Sequence, residues 1–410
     1  MRSITPLAML LWLAIPASAA PLTYDQALAQ AEASAPSLAA RAAQLGAARR
    51  AAQSATALPD PKLEVGIVGF PVSGPNAGNP AQDDFSSVRI GYEQDMPNAA
   101  KRRARATGAA ATITTGEAAL IAERRAVRLG AALAWIDLYF AQAKLAALDR
   151  VGQQVETLVA TAPARLASGS ARPAQAIAPL QARALLGDAR AALVADAAKA
   201  RAALRRWTGG DTDPGIAGTP PPAAVDAVAL RAALPHLPEL RAADAVNATA
   251  AAEVDVARAA KRPDWSWQVG YDRRNPQFGD MVSAGVKVEL PFFARTRQDP
   301  LIAARELEAQ GAQLGRAAVA REATAALDSD LAEHAMHHDR LMRARSALLP
   351  LAERRAALET TSYAAGSIDL VTALDAQVAL AEARLDLLTR EADVVRDAAR
   401  LNLTYGSDDQ

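Results

Sequence analysis

The sequence predicts a mainly α fold with a small β part, arranged as two similar halves, and three observations predict it. Long Ala-rich runs place apolar residues at helical spacing with few breakers, so long helices dominate. Four short segments alternate apolar and polar residues, which is the period of a strand. The chain is also written twice. Pro59-Asp60-Pro61-Lys62-Leu63-Glu64-Val65-Gly66 is echoed by Pro263-Asp264-Trp265-Ser266-Trp267-Gln268-Val269-Gly270. Ala167-Ser168-Gly169-Ser170 returns as Ala364-Ala365-Gly366-Ser367, and Arg206-Trp207-Thr208-Gly209 as Leu403-Thr404-Tyr405-Gly406. A period of roughly 200 residues is too long for a solenoid unit and suits a duplication about a pseudo-symmetry axis.

The boundaries follow from that repeat. Residues 1–19 read as a secretory signal peptide, with Arg2 as its positive end, Leu7 to Ile15 as its apolar stretch and Ala17-Ser18-Ala19 as its cleavage site. Residues 20–209 form the first repeat, 210–222 a Gly/Asp/Thr/Pro-rich linker, and 223–410 the second repeat. With no cysteine, the chain has no disulfide, thiolate metal ligand or lipidated cysteine, and the expected address is a Gram-negative periplasm or outer membrane. Acidic and basic residues both number 45, so no global field recruits nucleic acid, and none is expected as a partner. No motif calls for a cofactor. The apolar fraction of 51% is mostly alanine and only 4% is aromatic, which favours close helix packing over a broad core. Beyond the signal no uncharged stretch approaches the ~20 residues of a membrane-spanning helix, so any membrane crossing falls to strands.

From Ser367 to Asn402, steps of three and four join Val371, Leu374, Val378, Ala381, Leu385, Leu388, Ala392, Val395 and Ala399 into a coiled-coil seam. The matching seam of the first half runs Ile177, Leu180, Ala184, Gly187, Ala191, Val194, Ala198. The helices before these seams extend from about Lys101 to Leu166 and from Gln298 to Tyr363, with Pro163 and Pro350 as their first strong breakers. At ~1.5 Å per residue, a helix of some 65 residues spans roughly 100 Å, more than a compact domain needs. Ala122-Glu123-Arg124-Arg125 and Ala352-Glu353-Arg354-Arg355 read as ordinary solvated faces.

Leu63, Val65 and Ile67 alternate with polar neighbours, as do Val88, Ile90 and Tyr92; Trp265, Trp267, Val269 and Tyr271; and Val282, Ala284, Val286, Val288 and Leu290. This fits membrane-barrel strands with lipid outside and water inside, and it also fits a soluble sheet with one face covered by helices. Aromatic residues gather at the strand ends as Phe70, Phe85, Tyr92, Trp265, Trp267, Tyr271, Phe292 and Phe293, as in an interfacial girdle. Four strands do not close a barrel, and an open edge in lipid leaves amides unsatisfied, so a membrane sheet requires assembly. Three copies give about twelve strands, within the known range for outer-membrane barrels.

A strand pair and a long helical hairpin, repeated behind a signal peptide, resemble the TolC-type outer-membrane efflux family, the outer membrane factors. The matching elements are Leu58-Pro59-Asp60-Pro61, the strand exit Pro97-Asn98-Ala99-Ala100-Lys101-Arg102-Arg103 with its counterpart Leu290-Pro291-Phe292-Phe293, and the Gly-Ser turns. The Pro-Asp-Pro leader and the Lys-Arg-Arg run are most similar to the heavy-metal, CzcC-like branch. The resemblance implies a homotrimer whose coiled-coil hairpins form an α-barrel crossing the periplasm, while its four strands per chain join a 12-stranded outer-membrane β-barrel. It implies a passive duct rather than an enzyme, set in outer-membrane lipid and serving a periplasmic adaptor (membrane fusion) protein and an inner-membrane pump.

The resemblance also assigns roles to residues. The helix-joining turns, with Arg165, Gly169 and Ser170 in one half and Gly366 and Ser367 in the other, become adaptor-docking tips. Their glycines suit a left-handed helix-ending position and their serines can cap the next helix. The family's gate carries two aspartates three residues apart; Asp375 matches the second, while Thr372 stands where the first is expected. Asp375 reads equally as a solvated coiled-coil residue. Within Glu333-His334-Ala335-Met336-His337-His338, His334 and His338 share a helix face at a spacing able to hold a divalent ion, and also fit a merely polar face. The alternatives are a soluble periplasmic coiled-coil scaffold and an adaptor protein; no nucleophile motif, phosphate loop or zinc signature favours an enzyme.

Overall fold

The computed structural model describes residues 21–160, 162–167, 177–209 and 215–406. The signal peptide and residues 168–176, including Gly169 and Ser170, lie outside the described residues. The chain divides into two compact units, one holding Pro36–Glu123 and Arg231–Ala326, the other holding the chain up to Ala35, Arg124–Leu230 and the chain from Leu327.

The first unit is built on a sheet. Its elements are α2 (Pro36–Ser54), β1 (Lys62–Val68), β2 (Ser87–Met96), the opening of α3 (Ala99–Val159), α7 (Pro238–Ala259), β3 (Asp264–Arg273), β4 (Met281–Glu289) and the opening of α8 (Gln298–Arg343). The four strands pair antiparallel in the order β1-β2-β3-β4, so the β2–β3 pair joins the strand pair of one half to that of the other. Cross-strand register aligns Leu63, Tyr92, Val269 and Ala284 in one row and Val65, Ile90, Tyr271 and Val282 in the next. The intervening row, Glu64, Gly91, Gly270 and Ser283, faces the other way because side chains alternate along a strand.

The second unit is helical and contains α1 (Tyr24–Ser34), the rest of α3, α4 (Ala162–Ala167), α5 (Ala178–Thr208), α6 (Ala227–Ala233), the rest of α8, α9 (Leu349–Ala364) and α10 (Leu370–Tyr405). Thr23 starts α1 with a capping box closed by Gln26. The core holds Trp135, Ile136 and Leu138 of α3, Leu204 of α5, and Ala392 and Ala399 of α10. Tyr24 meets Trp135 edge-on at 5.8 Å, and Trp135 Nε1 donates to the Leu22 carbonyl at 3.0 Å. The end of the linker is tied down as well. Leu22 and Ile216 form a parallel bridge, and Ile216 packs on the same core.

Two helical expectations need correction. The seam expected on α5 is not its buried stripe: Ile177, Leu180 and Val194 are exposed, whereas Pro179, Ala182, Ala197, Ala200 and Leu204 are buried. Both stripes have heptad spacing, and small residues let either face the neighbour. The helix expected to reach Leu166 ends at Val159, and Pro163 opens α4 because proline is tolerated in a first helical turn. At the equivalent place in the second half, a π-helical turn over Ala344–Leu348 keeps the chain winding into α9, whose first turn holds Pro350. One 18-residue window of α3 is apolar enough to cross a membrane by composition, but α3 holds no uncharged run of that length and 50% of the window is buried.

Candidate functional site

The sheet presents two chemically opposite faces. On one, Leu63, Val65 and Val282 are 71%, 66% and 74% exposed, and Ile67, Val88, Ile90, Val269, Val286 and Val288 are bare beside them. Trp265 and Trp267 lie on this face toward the helices, with Tyr92 5.4 Å from Trp267, and Phe70 and Phe85 stand exposed at the opposite end. Tyr92 belongs to a central row rather than a strand end, which amends the expected girdle.

The other face is a charged network. Arg89 grips Asp272 bidentately at 2.8 and 3.1 Å, and Ser87 donates to the same carboxylate, which is nearly sealed from solvent. Glu93 accepts from Lys287 at 2.7 Å and from Ser266 at 3.1 Å, and Lys62 pairs with Asp95 at 2.7 Å. At the sheet's base Asp264 accepts from Lys101 and from both nitrogens of Asn98. A water-soluble sheet hides its apolar face. This one leaves it bare and pairs the charges of its other face with one another, the arrangement that suits lipid on one side and a wet lumen on the other. Beyond the strands, Arg274 ties the two loops together by donating to the carbonyls of Phe278, Gly279 and Asp84.

The turn between α9 and α10 places Gly366 at φ 76°, the left-handed position expected of it. Gly366 N–H donates to the Tyr363 carbonyl and Ser367 N–H to the Ser362 carbonyl, both at 3.0 Å, which together make a Schellman ending. The serine does not cap the following helix. Ser367 Oγ donates back to Ser362 at 2.8 Å, and Asp369 is the N-cap of α10, accepting from Thr372 N at 2.9 Å and Thr372 Oγ1 at 2.8 Å. Aspartate followed by an apolar helical run is an N-terminus signal that would have found this cap in the sequence. Asp375 lies two helical positions beyond the buried Ala373 and is exposed. Behind it Leu370, Ala373, Leu374 and Ala381 pack with Tyr363 against Leu148, Val151 and Val155 of α3. In the first half α4 includes Arg165, while Gly169 and Ser170 fall outside the described residues.

The histidine run is divided. His337 Nδ1 sits 2.7 Å from Asp397 Oδ2 of α10, a pairing that helical spacing within one element did not reveal. His334 is partly buried with Nδ1 lacking a partner, and burial holds its imidazole below the ordinary value; His338 is exposed. Among the described residues no group of three His, Cys, Asp or Glu side chains converges to hold a metal, so His334 and His338 gain no third ligand.

Comparison with known proteins bears on the whole arrangement. The family described as outer membrane efflux protein matches residues 229–407. No curated protein sequence matches the chain. A membrane protein from Pseudomonas aeruginosa shares the fold with a TM-score of 0.82 at 17% identity, covering 99% of this chain and 96% of that one. The outer membrane protein VceC of Vibrio cholerae matches with a TM-score of 0.77 at 18% identity over 94% of this chain and 96% of its own. The open state of the Neisseria gonorrhoeae MtrE outer membrane channel matches with a TM-score of 0.75 at 16% identity over 94% and 89%. The outer membrane efflux protein signature therefore covers the second half of the chain, and the fold shared with these outer membrane proteins runs along nearly all of it.

Proposed function

We propose that the chain is one protomer of a trimeric outer-membrane duct whose helices extend into the periplasm, a passive conduit of a tripartite efflux system and not an enzyme. The observation that carries this is the inverted sheet, with apolar side chains bare on one face and Arg89, Asp272, Glu93 and Lys287 paired on the other. A soluble scaffold would have to cover the rows headed by Leu63 and Val65, and leaving them in water forgoes about 25 cal/mol for each Å² of apolar area. The edge strands β1 and β4 each have one unpaired side in a single copy, and assembly is what relieves them in lipid. Fractionation tests the location and mass measurement in detergent tests the trimer. Recovery of the mature protein in an osmotic-shock supernatant sinks the duct, and a detergent species of one chain's mass sinks the trimer.

The tips fit a periplasmic adaptor hairpin, with Gly366 and Ser367 in one and Arg165, Gly169 and Ser170 in the other. The proline φ near −65° is incompatible with the φ of 76° at Gly366, so Gly366→Pro deforms the tip while leaving the sheet untouched. Export is expected to fail at normal membrane levels of the protein; export at the wild-type rate removes the tip from the docking surface. Divalent metal cations are the cargo class suggested by the Pro59-Asp60-Pro61 leader and the Lys101-Arg102-Arg103 run. A deletion strain that becomes sensitive to drugs but not to divalent cations overturns that part alone.

A further inference from the structure

We infer that the level where strands hand over to helices is a collar that binds anionic glycerophospholipid headgroups, with Arg262, Arg295 and Arg297 holding lipid phosphates beside Phe292 and Phe293. The inference rests on the outer-membrane duct reading and specifies which lipid chemistry that duct recognises.

The junctions share one level because hydrogen bonds and ion pairs stitch them together. Asn98, between β2 and α3, donates to the carbonyls of Ala259 and Arg262 at the end of α7 and to Asp264 at the start of β3. Lys101 pairs with Asp264, and Lys261 pairs with Asp299 at the start of α8. Some cations around this level therefore have a carboxylate partner, and so do Lys62, Arg258 and Arg305. Arg262, Arg295 and Arg297 differ. All three are exposed and none makes a side-chain hydrogen bond or ion pair among the described residues; Arg103 and Arg105 in the first turns of α3 are likewise exposed and unpaired. In a chain whose formal charge sums to zero, unmatched guanidinium groups concentrated at one level call for an external anion.

The neighbours say which anion. Phe292 and Phe293 are 80% and 73% exposed, one residue before the run that holds Arg295 and Arg297, and they follow in sequence on β4, whose Val288 pairs with Trp265. Exposed phenyl rings between an apolar sheet face and a row of free cations suit the depth at which acyl chains give way to phosphates. Arginine supplies a planar fork of donors that matches a phosphate in two hydrogen bonds, and its aliphatic stem can lie along apolar surface while the charge reaches outward. A soluble nucleic acid or acidic protein would not be served by the adjacent phenyl rings.

The test uses the full mature chain, as a trimer in detergent, titrated with brominated phosphatidylglycerol and with brominated phosphatidylcholine. Bromine quenches tryptophans in lipid contact, and Trp265 and Trp267 are the exposed pair beside the collar. The wild type is expected to favour phosphatidylglycerol, and the variant Arg262→Gln/Arg295→Gln/Arg297→Gln to lose roughly fivefold of that preference per arginine removed, with added salt acting in the same direction. Arg316→Gln, which removes an arginine already paired with Asp244 farther along α8, is expected to leave the preference unchanged. Equal preference in the wild type and the triple variant overturns the collar, as does loss of the trimer in that variant, which would assign these arginines to contacts between copies. Failure of either brominated lipid to quench Trp265 and Trp267 overturns the duct reading itself.

Discussion

The four-stranded sheet and the helical core around Trp135 use the same apolar residue types in opposite ways. In the helices Trp135, Ile136, Leu138 and Leu204 are buried, and most charged residues lie outside, Asp397 being a buried exception. In the sheet Val65 and Ile67 are exposed while the Asp272 carboxylate is sealed beneath Arg89 and Ser87. The hydrophobic effect is indifferent to which phase is on which side; it asks only that apolar area leave water. The helical core is therefore organised against water, and the sheet is organised for a solvent that is not water. Substitutions that are alike in chemistry should have different consequences in the two regions.

The largest effect is expected in the helical core. Leu204 has no exposed surface and packs among Trp135, Leu138 and Ala399, so Leu204→Ala leaves a cavity that its neighbours fill only in part. The expected cost is about 2–5 kcal/mol, read as a lowered thermal midpoint of the purified protein in detergent. The same truncation on the bare sheet face, Val65→Ala, should cost far less, because no protein atoms close over that side chain. Equal losses at the two positions would mean that helices cover the sheet and would erase the contrast.

Next comes a charge on the bare face. Val269 lies in the row of Leu63, Tyr92 and Ala284, midway along β3, and Val269→Arg is expected to cost about 2–4 kcal/mol if that row sits near the bilayer midplane. For a sheet in water, an exposed valine replaced by arginine is close to neutral. Yield of folded trimer after refolding into vesicles discriminates the two, and an unchanged yield breaks the contrast at its sheet end.

Much of this contrast was legible in the sequence, since a period of two assigns Leu63, Val65 and Ile67 to one face whatever the partner strands are. What periodicity left open was whether that face is covered, because lipid and helices are equally apolar neighbours. The α5 seam shows the same limit from the other side: Ile177, Leu180, Val194 and the buried Ala182, Ala197, Leu204 both repeat at coiled-coil spacing, and only tertiary contacts choose between them. The tip was readable at Gly366, where geometry demands a left-handed residue, and its cap was readable as well. Serine and aspartate cap helices about equally, but Asp369, not Ser367, is the residue that stands one position before α10 and reaches Thr372. The His337–Asp397 pair joins residues sixty positions apart on different helices, so no local pattern foretells it.

A smaller effect belongs to the edge of the helical core, where Tyr24 leans on Trp135. Burial pushes its hydroxyl up to about 12 from the ordinary 10.0, with the Arg128 charge opposing that shift and Asp25 adding to it. A folded-state value above the unfolded one means that stability is intact below pH 10 and drains away as pH rises toward 12, because only the unfolded chain ionises freely. Tyr24→Phe removes that drain. Melting curves of the two proteins should diverge across this alkaline window, and parallel curves would show that Tyr24 ionises as readily in the folded chain.

The smallest structural disturbance, with a readout in selectivity instead of stability, is at the proposed gate. Asp375 is exposed on α10 while Thr372 is held by Asp369, so if the gate lies where the resemblance implies, Asp375 is the carboxylate of that pair of positions that lines it. Three copies around an entrance would create a negative ring that favours cations and weakens with salt over the ~8 Å Debye length at physiological ionic strength. Asp375→Asn keeps the size and removes the charge, so cation preference in planar-bilayer conductance should fall with trimer yield unchanged. Thr372→Asp should raise the preference, although the new carboxylate would stand next to the Asp369 cap and repel it, which predicts a modest loss at the start of α10 alongside the gain. Opposite signs from two substitutions one helical turn apart would fix both residues on the lumen side of the constriction. Unaltered selectivity in both variants would leave Asp375 on the solvated outer face of α10 and move the constriction elsewhere along the hairpin.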